Sequence, residues 1–151
     1  YQLSTINYQP STINYLHLET MTEQRSEILA ANEAFYRAFE KKDIDAMSIV
    51  WSQGTSSLCV HPGWNILRGW KQVSNSWVKI FQNTPYIEIN TDIISTEIRG
   101  NIAYVVLVEN VMQVIKGSRM EAQSLATNVF ELLGDKWYLV HHHASPVMGN
   151  R

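Results

Sequence analysis

Cysteine, long apolar runs and basic clusters are all scarce in this chain, and each absence excludes a class of protein. Cys59 is the single cysteine among 151 residues, so no disulfide can close within the chain and no thiolate cage can hold a metal. No apolar run approaches the length of a membrane span, and the N-terminus lacks the charged-then-apolar order of a signal peptide. The sequence therefore predicts a cytoplasmic protein with no membrane partner.

Charge of one sign does not dominate either. Twelve Lys and Arg residues nearly balance fourteen Asp and Glu residues, and the formal net charge is −2. Without a basic run, this balance argues against a nucleic-acid partner. A phosphate loop, a dinucleotide fingerprint and a serine nucleophile elbow are also missing from the sequence. We therefore expect no cofactor, which leaves cofactor-free chemistry or plain binding.

Aromatic residues are plentiful, and the chain has the length of one domain. Five Trp and seven Tyr suit an aromatic-rich core or an apolar pocket. The first twenty residues differ from the rest, because the pentapeptide STINY occurs at 4–8 and again at 11–15. Two short copies cannot build a solenoid, and their composition favours extended structure. We predict an N-terminal extension at 1–20, either an arm that adds to a sheet edge or an appended tail, and a domain at 21–151.

Three helices are predicted in the first half of the domain. Thr20 and Glu23 match a capping box that starts the first helix, and Asp43 is expected to cap a short second one. A third helix is expected from about Trp70 to Phe81. The positions that define the three buried faces are Ile28, Asn32, Phe35 and Phe39, then Ala46, Met47 and Val50, then Val73, Trp77 and Ile80.

The second half of the chain predicts an antiparallel meander. Helices followed by such strands indicate an α+β fold. The strand at 102–114 is apolar on both faces, so we expect helices to cover one face and a second subunit, in a homodimer, to cover the other. The predicted strands are Ser57–Val60, Tyr86–Ile98, Ile102–Val114, Arg119–Leu133 and Lys136–Ala144.

Three consecutive histidines close the last predicted strand, in the stretch WYLVHHHASP. Because side chains alternate along a regular strand, Trp137 should share one face with His141 and His143. The indole belongs where water is excluded, so this register places His141 and His143 inside and His142 outside, unless a bulge falls within 138–142. An imidazole pair there suits acid–base chemistry, a pair of hydrogen-bonded core histidines, or a metal site with His61 as third ligand.

Other polar residues sit where a functional site would need them. His61 precedes a Pro-Gly turn, where it either lies at the rim of a binding site or bonds to backbone. Glu109 and Asn110 interrupt an apolar strand, so one of them faces a covered side, as a perturbed carboxyl or as an interface ion pair. Glu121 and Asn128 are separated by an odd step and should point to opposite faces.

The tryptophans other than Trp137 are expected in the core more than on a ligand platform. They are Trp51, Trp64, Trp70 and Trp77, of which Trp51, Trp64 and Trp77 are candidates for the wall of an apolar pocket. Cys59 lies beside an apolar strand and is expected to be inert packing.

The segments CVHPGWNILRGW, SWVKIF and ATNVFELLGDKWYLVHHHAS, together with the helical start, resemble the SnoaL-like branch of the nuclear transport factor 2-like superfamily. The resemblance covers residues 21 to about 147. It implies a cone-shaped α+β barrel, with three N-terminal helices packed on a strongly curved, mainly antiparallel sheet, an internal cavity, and a homodimer packed sheet to sheet. The superfamily includes ketosteroid isomerase and polyketide cyclases as well as non-catalytic transport factors and a kinase association domain, so the fold alone decides little about function.

The sequence departs from many relatives before the His-Pro-Gly turn. Those relatives carry an acid there, whereas this chain has Gln53, Gly54 and Thr55, so a transferred aspartate base is in doubt.

The resulting functional hypothesis is a protein that binds a small, largely apolar ligand in the cone cavity. As an isomerase, lyase or hydrolase it would use His143 as acid or base, oriented by His141 or Asn128. His61, Trp64, Trp51, Trp77, Trp137 and Glu109 would line the cavity. The alternative is a non-catalytic dimeric binding or association module. We expect no tightly bound metal, because three histidines on two separate elements guarantee no tetrahedral site.

Overall fold

The computed structural model describes residues 12–149, and these form three helices and six strands. The helices are α1 (Thr12–Lys41), α2 (Ile44–Val50) and α3 (Gly69–Asn83). The strands are β1 (Leu58–Val60), β2 (Leu67–Arg68), β3 (Tyr86–Arg99), β4 (Ile102–Ile115), β5 (Ser118–Leu133) and β6 (Lys136–Pro146). No helix within 12–149 is long and apolar enough to cross a membrane.

The first helix starts earlier than its predicted capping box. The hydroxyls of Thr20 and Thr22 donate to the carbonyls of Leu16 and Leu18, so Thr20 lies inside α1 and does not cap it. The part of the second STINY copy that the structure describes is helical, and its predicted extended structure is wrong. The first copy, at 4–8, lies outside the described residues, and the predicted boundary between extension and domain stays a prediction.

The other two helices follow their sequence signals. The Asp43 carboxylate accepts a hydrogen bond from the backbone amide of Ala46 at 3.0 Å, which confirms it as the cap of α2. Helix α3 begins directly after β2 and ends before Pro85, where a proline cannot continue a helix. Its buried side carries Val73, Ser76 and Trp77.

The six strands form one sheet in the order β2-β1-β6-β5-β4-β3. All pairings are antiparallel except that between β1 and β6, which is parallel. The sheet curls around the helices without closing, so the α+β prediction is confirmed while the structure is an open cone and not a closed barrel. Helix α1 contacts β3, β4 and β6, which places it across the middle of the inner face.

Strand β4 shows how the two faces differ. Ala103, Val105, Leu107 and Glu109 are buried on the inner face, whereas the intervening side chains are partly exposed on the outer face. Those outer residues are Tyr104, Val106, Val108 and Asn110. The predicted two-sided apolar character of this strand is therefore present, and the described residues cover only its inner face.

A β-bulge in β6 changes the faces of its last residues. Val129 of β5 pairs with His141, but the next residue, Phe130, pairs with Leu139. Val140 is the extra residue, and one extra residue reverses the direction of every side chain beyond it. Trp137 and Leu139 point inward before the bulge, and His142 and Ala144 point inward after it.

Candidate functional site

The histidine that faces the protein interior is His142. Its side chain is 1% exposed, whereas His143 is exposed and His141 is partly exposed on the outer sheet face. The prediction that His141 and His143 face inward is therefore wrong, and the bulge at Val140 is the physical reason. The stacking contact between these two outer rings, 6.2 Å between centroids, keeps them together on that face.

Asn128 is the centre of a buried hydrogen-bonded network. Its Oδ1 accepts from Nδ1 of His142 at 2.6 Å, and its Nδ2 donates to Oδ1 of Asn32 at 2.9 Å and to the Tyr36 hydroxyl at 3.0 Å. Because Asn128 Oδ1 can only accept, His142 carries its proton on Nδ1 and leaves Nε2 as the basic nitrogen. All four side chains are at most 2% exposed.

Glu109 extends this network toward the rim of the sheet. Glu109 is 5% exposed, and its Oε2 is buried without a hydrogen-bond partner among residues 12–149. The Tyr36 hydroxyl favours the ionised form of the Glu109 carboxyl, and since it accepts from Asn128 its own proton is available for the carboxylate. The interface ion pair considered for Glu109 is absent from the described residues, because the carboxylate faces the interior and joins no salt bridge there. Asn110 is the outward-facing residue of the pair and bonds Asp92 and Gln123.

His61 forms a second polar group beside the network. Its Nε2 lies 2.9 Å from Oγ of Ser76, and that hydroxyl donates to the carbonyl of Val73 at 2.6 Å. His61 therefore donates from Nε2, and its Nδ1 is unprotonated. Cys59 Sγ lies 3.7 Å from the same ring, and the ring of His142 is 6.5 Å away between centroids. His61 is 3% exposed, so it lies inside the protein and not at an open rim.

Burial moves the proton affinities of these groups in opposite directions. It raises the pKa of Glu109 to about 7, and hydrogen bonding from Tyr36 offsets part of that rise. Burial lowers the pKa of His61 to about 4 and that of His142 to about 3, the latter helped by the nearby His61. Burial also raises the pKa of the Cys59 thiol, which leaves it protonated and inert, as predicted. At neutral pH the interior thus holds neutral imidazoles and one carboxyl near its titration midpoint.

The aromatic candidates divide between the interior and the surface. Trp51, Trp77 and Trp137 are buried, and the indole Nε1 of each is buried without a partner. Trp77 packs beside both interior histidines, with ring centroids 4.6 Å from that of His61 and 6.4 Å from that of His142. Trp64 is 45% exposed on the loop after His61, against whose ring it packs edge-on.

Small side chains lie on the inner face beside Glu109. Its strand partners are Thr91 on β3 and Ser124 on β5, and the next inward positions on β5 and β6 are Ala126 and Ala144. A groove of about 540 Å³ opens elsewhere, between the end of α2 and the β5–β6 turn, and its lining includes Trp51 and Tyr138 but neither Glu109 nor His142.

Sequence reasoning missed four members of this interior group: Asn32, Tyr36, Ser76 and His142. Asn32 left a usable signal, because it is a polar residue at helical spacing between Ile28 and Phe35 on the buried face of α1. A buried amide needs a partner, and Asn128 supplies it. Within residues 12–149 no group of three His, Cys, Asp or Glu side chains is arranged to hold a metal ion.

The raised pKa of Glu109 predicts how stability depends on pH. A carboxyl that ionises at about 7 when folded, against an ordinary 4.5, stabilises the fold below pH 4.5, and that contribution is lost as the pH rises to 7. Glu109→Gln removes the titration, so the variant should gain roughly 2 to 3 kcal/mol in free energy of unfolding at pH 8 and little at pH 4.5. Urea titrations at both pH values measure this. Equal effects of Glu109→Gln and of Glu121→Gln, an exposed carboxyl on β5, would contradict it.

The fold is that of a SnoaL-like domain. The family model for this domain matches residues 28–149, so the chain belongs to the SnoaL-like family. Among solved structures, a dehydratase candidate of the nuclear transport factor 2-like family from Streptomyces avermitilis is 32% identical, with a TM-score of 0.77 over 82% of this chain and 96% of its own. A candidate association domain of a calcium/calmodulin-dependent protein kinase type II from Thiobacillus denitrificans is 28% identical, with a TM-score of 0.73 over 79% of this chain and 94% of its own.

A curated plant protein is similar as well. The F-box protein SKIP8 of Arabidopsis thaliana is 26% identical over 121 residues, which are 80% of this chain and 50% of that protein. This chain therefore spans about half the length of the curated relative that it matches. A nuclear transport factor 2-like protein with a cystatin-like fold from Novosphingobium aromaticivorans is 13% identical with a TM-score of 0.77, over 95% of this chain and 94% of its own, and shares the fold.

Proposed function

We propose that this protein binds a small, largely apolar carbonyl compound between its helices and the inner sheet face, and moves a proton on it with Glu109. The observation that carries this proposal is the Glu109 carboxyl, which is 5% exposed, has a buried oxygen without a partner and ionises at about 7. A general base is most effective when its pKa lies near the working pH, because it is then both available and basic enough. His143, exposed on the outer face, is no longer the candidate for this role.

The neighbours of Glu109 support an acid–base role over a purely structural one. The Tyr36 hydroxyl favours the ionised form of the carboxyl and is itself held by Asn128, and Oε2 has no partner among residues 12–149, which leaves this oxygen free for a ligand proton. Asn128 and His142 act as positioning residues, because their hydrogen bond fixes the amide that orients Tyr36. The buried indole N–H of Trp77 has no partner among residues 12–149 and can donate a hydrogen bond to a carbonyl oxygen of the ligand.

The simplest reaction for this set is reversible enolisation. Glu109 takes a proton from the carbon next to the ligand carbonyl, the C–H electron pair forms the carbon–carbon double bond of an enolate, and the negative charge moves to oxygen. The protonated Glu109 then returns a proton to the same or a neighbouring carbon. The dehydratase candidate that is 32% identical supports the proposal, because loss of water from a carbon skeleton also requires removal of a proton.

Deuterium exchange tests this proposal with a named probe. β-Tetralone is a bicyclic apolar ketone with acidic hydrogens beside its carbonyl, and proton NMR in deuterium oxide reports their loss. The protein is expected to accelerate this exchange above buffer with saturation at increasing ketone concentration. A rate that equals buffer alone, for this probe and for an open-chain apolar ketone, would reject acid–base chemistry and leave the association function below.

An association function is the second candidate, and the outer sheet face favours it. Its partly exposed side chains Tyr104, Val106, Val108 and Val129 adjoin Leu125, which is 46% exposed. Such a face is typical of a surface that a second subunit covers. The association-domain candidate that is 28% identical supports self-association of this chain, and we propose a homodimer packed through the outer face.

Sedimentation should find a dimer of twice the 17.4 kDa chain at micromolar concentration. Leu125→Glu places a charge in the middle of the proposed interface and should raise the dissociation constant at least ~100-fold, since an unpaired buried charge costs several kcal/mol. Ile49→Glu is the matched control, because Ile49 is an exposed aliphatic residue on α2 and not on the outer face of the sheet. A monomeric wild-type protein, or equal effects of the two variants, would contradict the dimer.

A further inference from the structure

Two imidazoles lie in the middle of the outer sheet face. His141 pairs with Val129 of β5 and Leu58 of β1, and His143 pairs with Thr127 and Val60 on the same two strands. Strands β5 and β6 are the central strands of the sheet, so these rings lie at its centre and not at an edge. The bulge at Val140 brings them there, because without it His142 would face outward in their place.

The surroundings of the two rings are apolar and offer no counter-charge. Their strand neighbours on this face are Leu58, Val60, Thr127 and Val129. The charged residues of the face lie further off. Arg68 lies beyond Leu58, Lys136 and Glu131 lie beside Tyr138, Glu97 and Arg99 lie beside the start of β4, and Glu88, Asp92, Arg119 and Glu121 lie toward its other end. Neither histidine takes part in a salt bridge among residues 12–149. Within one chain, a proton gained by either ring would therefore stay uncompensated.

We propose that the outer face around His141 and His143 is a self-association surface whose affinity falls as the pH falls. The proposal rests on the homodimer proposed above and adds what controls it. A second copy that covers the face takes the imidazoles out of water, and desolvation disfavours the charged ring. Burial and the neighbouring His143 already lower the pKa of His141 within one chain, and a dimer adds the same groups from the partner. The sheet-to-sheet dimer thus requires neutral rings.

The sign of the effect follows from proton linkage. Covering the face lowers the imidazole pKa, so the dimer binds fewer protons than two monomers. The dimer is therefore fully favoured above the ordinary imidazole pKa of about 6.5 and weakens as the pH falls below it. If each copy must release one proton on association, the dissociation constant rises several-fold between pH 7.5 and pH 6.0.

Sedimentation equilibrium at pH 7.5 and pH 6.0 tests this with the full chain. The wild-type dissociation constant should rise several-fold at pH 6.0, while a double variant His141→Gln/His143→Gln should stay dimeric with little change between the two pH values. His17→Gln, which removes an exposed histidine on α1, should keep the wild-type pH dependence. The Glu109 carboxyl is present in all of these proteins, so its own titration cannot produce the difference.

A permanently charged variant provides an independent test at a single pH. His143→Lys should weaken the dimer at pH 7.5 as protonation does, whereas His143→Gln should not. A dimer with the same affinity at both pH values, or a double variant that keeps the pH dependence, would overturn the inference and leave the homodimer standing. A wild-type monomer at both pH values would overturn both.

Discussion

Glu109→Gln is expected to slow deuterium exchange into β-tetralone at least ~100-fold, because a positioned general base contributes about that much or more to proton transfer. Glutamine keeps the shape and the capacity to accept from Tyr36, but its amide cannot take a proton from carbon. The loss should appear in kcat with little change in the ketone concentration at half-saturation, since the ligand contacts are otherwise retained. NMR exchange rates at pH 8 measure it.

The control for this prediction is Glu121→Gln. Glu121 is exposed on β5 and bonded to Arg119, so its replacement should leave the exchange rate unchanged. Tyr36→Phe should fall between the two, because it removes the donor that orients the carboxylate while the base itself remains. Equal rates for the wild type and Glu109→Gln would remove Glu109 from the chemistry.

His142→Ala is expected to lower the free energy of unfolding by about 3 to 5 kcal/mol. The substitution empties the space of a fully buried ring that contacts Phe35 and Trp77, and it leaves Oδ1 of Asn128 without a donor inside the protein. His143→Ala is the matched control, since its ring is exposed and makes no hydrogen bond among the described residues. Its effect should stay within about 0.5 kcal/mol.

Urea denaturation at pH 7.5, at a concentration where each variant is monomeric, measures both values. A His142→Ala variant too unstable to fold agrees with the prediction, and His142→Gln, which keeps a polar group near Asn128, should then be intermediate. If His143→Ala lowered the free energy of unfolding more than His142→Ala, β6 would have no bulge, and its register would be the regular one predicted from the sequence.

Most helices and strands could be predicted from the sequence because the signals that delimit them are local. The apolar spacing after Thr20, the cap at Asp43 and the turns around Gly100, Gly117 and Gly134 depend only on neighbouring residues, and the structure confirms the elements they delimit. The prediction that Glu121 and Asn128 point to opposite faces is also confirmed, because β5 pairs with β4 without a register shift between residues 121 and 128.

The start of α1 shows where local propensity is overridden. The composition of STINY favours strands, yet once the turns near Ile28 and Phe35 are packed, each further helical residue adds a backbone bond at little cost. The hydroxyls of Thr20 and Thr22 then donate to backbone carbonyls one turn earlier in the helix. Neither hydroxyl is left to cap a helix that would start at residue 20.

The site was harder to predict, because it depends on one residue that changes the register. Nothing in YLVHHH marks Val140 as the bulged position, since valine suits a regular strand equally well. The bulge is stabilised by tertiary contacts. It lets His142 hydrogen-bond to Asn128, which in turn hydrogen-bonds to Asn32 and Tyr36 of α1. Asn128 lies 96 and 92 positions after its partners on α1, so these contacts cannot be read from the spacing of residues within β6.

The titration of the Glu109 carboxyl tests the central claim most directly. Carbon-13 NMR of side-chain carboxyl groups, recorded from pH 4 to pH 9, should show one resonance with a midpoint near 7 that is missing from Glu109→Gln and present in Glu121→Gln. Such a resonance would establish a buried carboxyl poised for proton transfer at neutral pH. If the resonance lost in Glu109→Gln titrates near the ordinary value of 4.5, Glu109 is solvated and the proposed acid–base site does not exist.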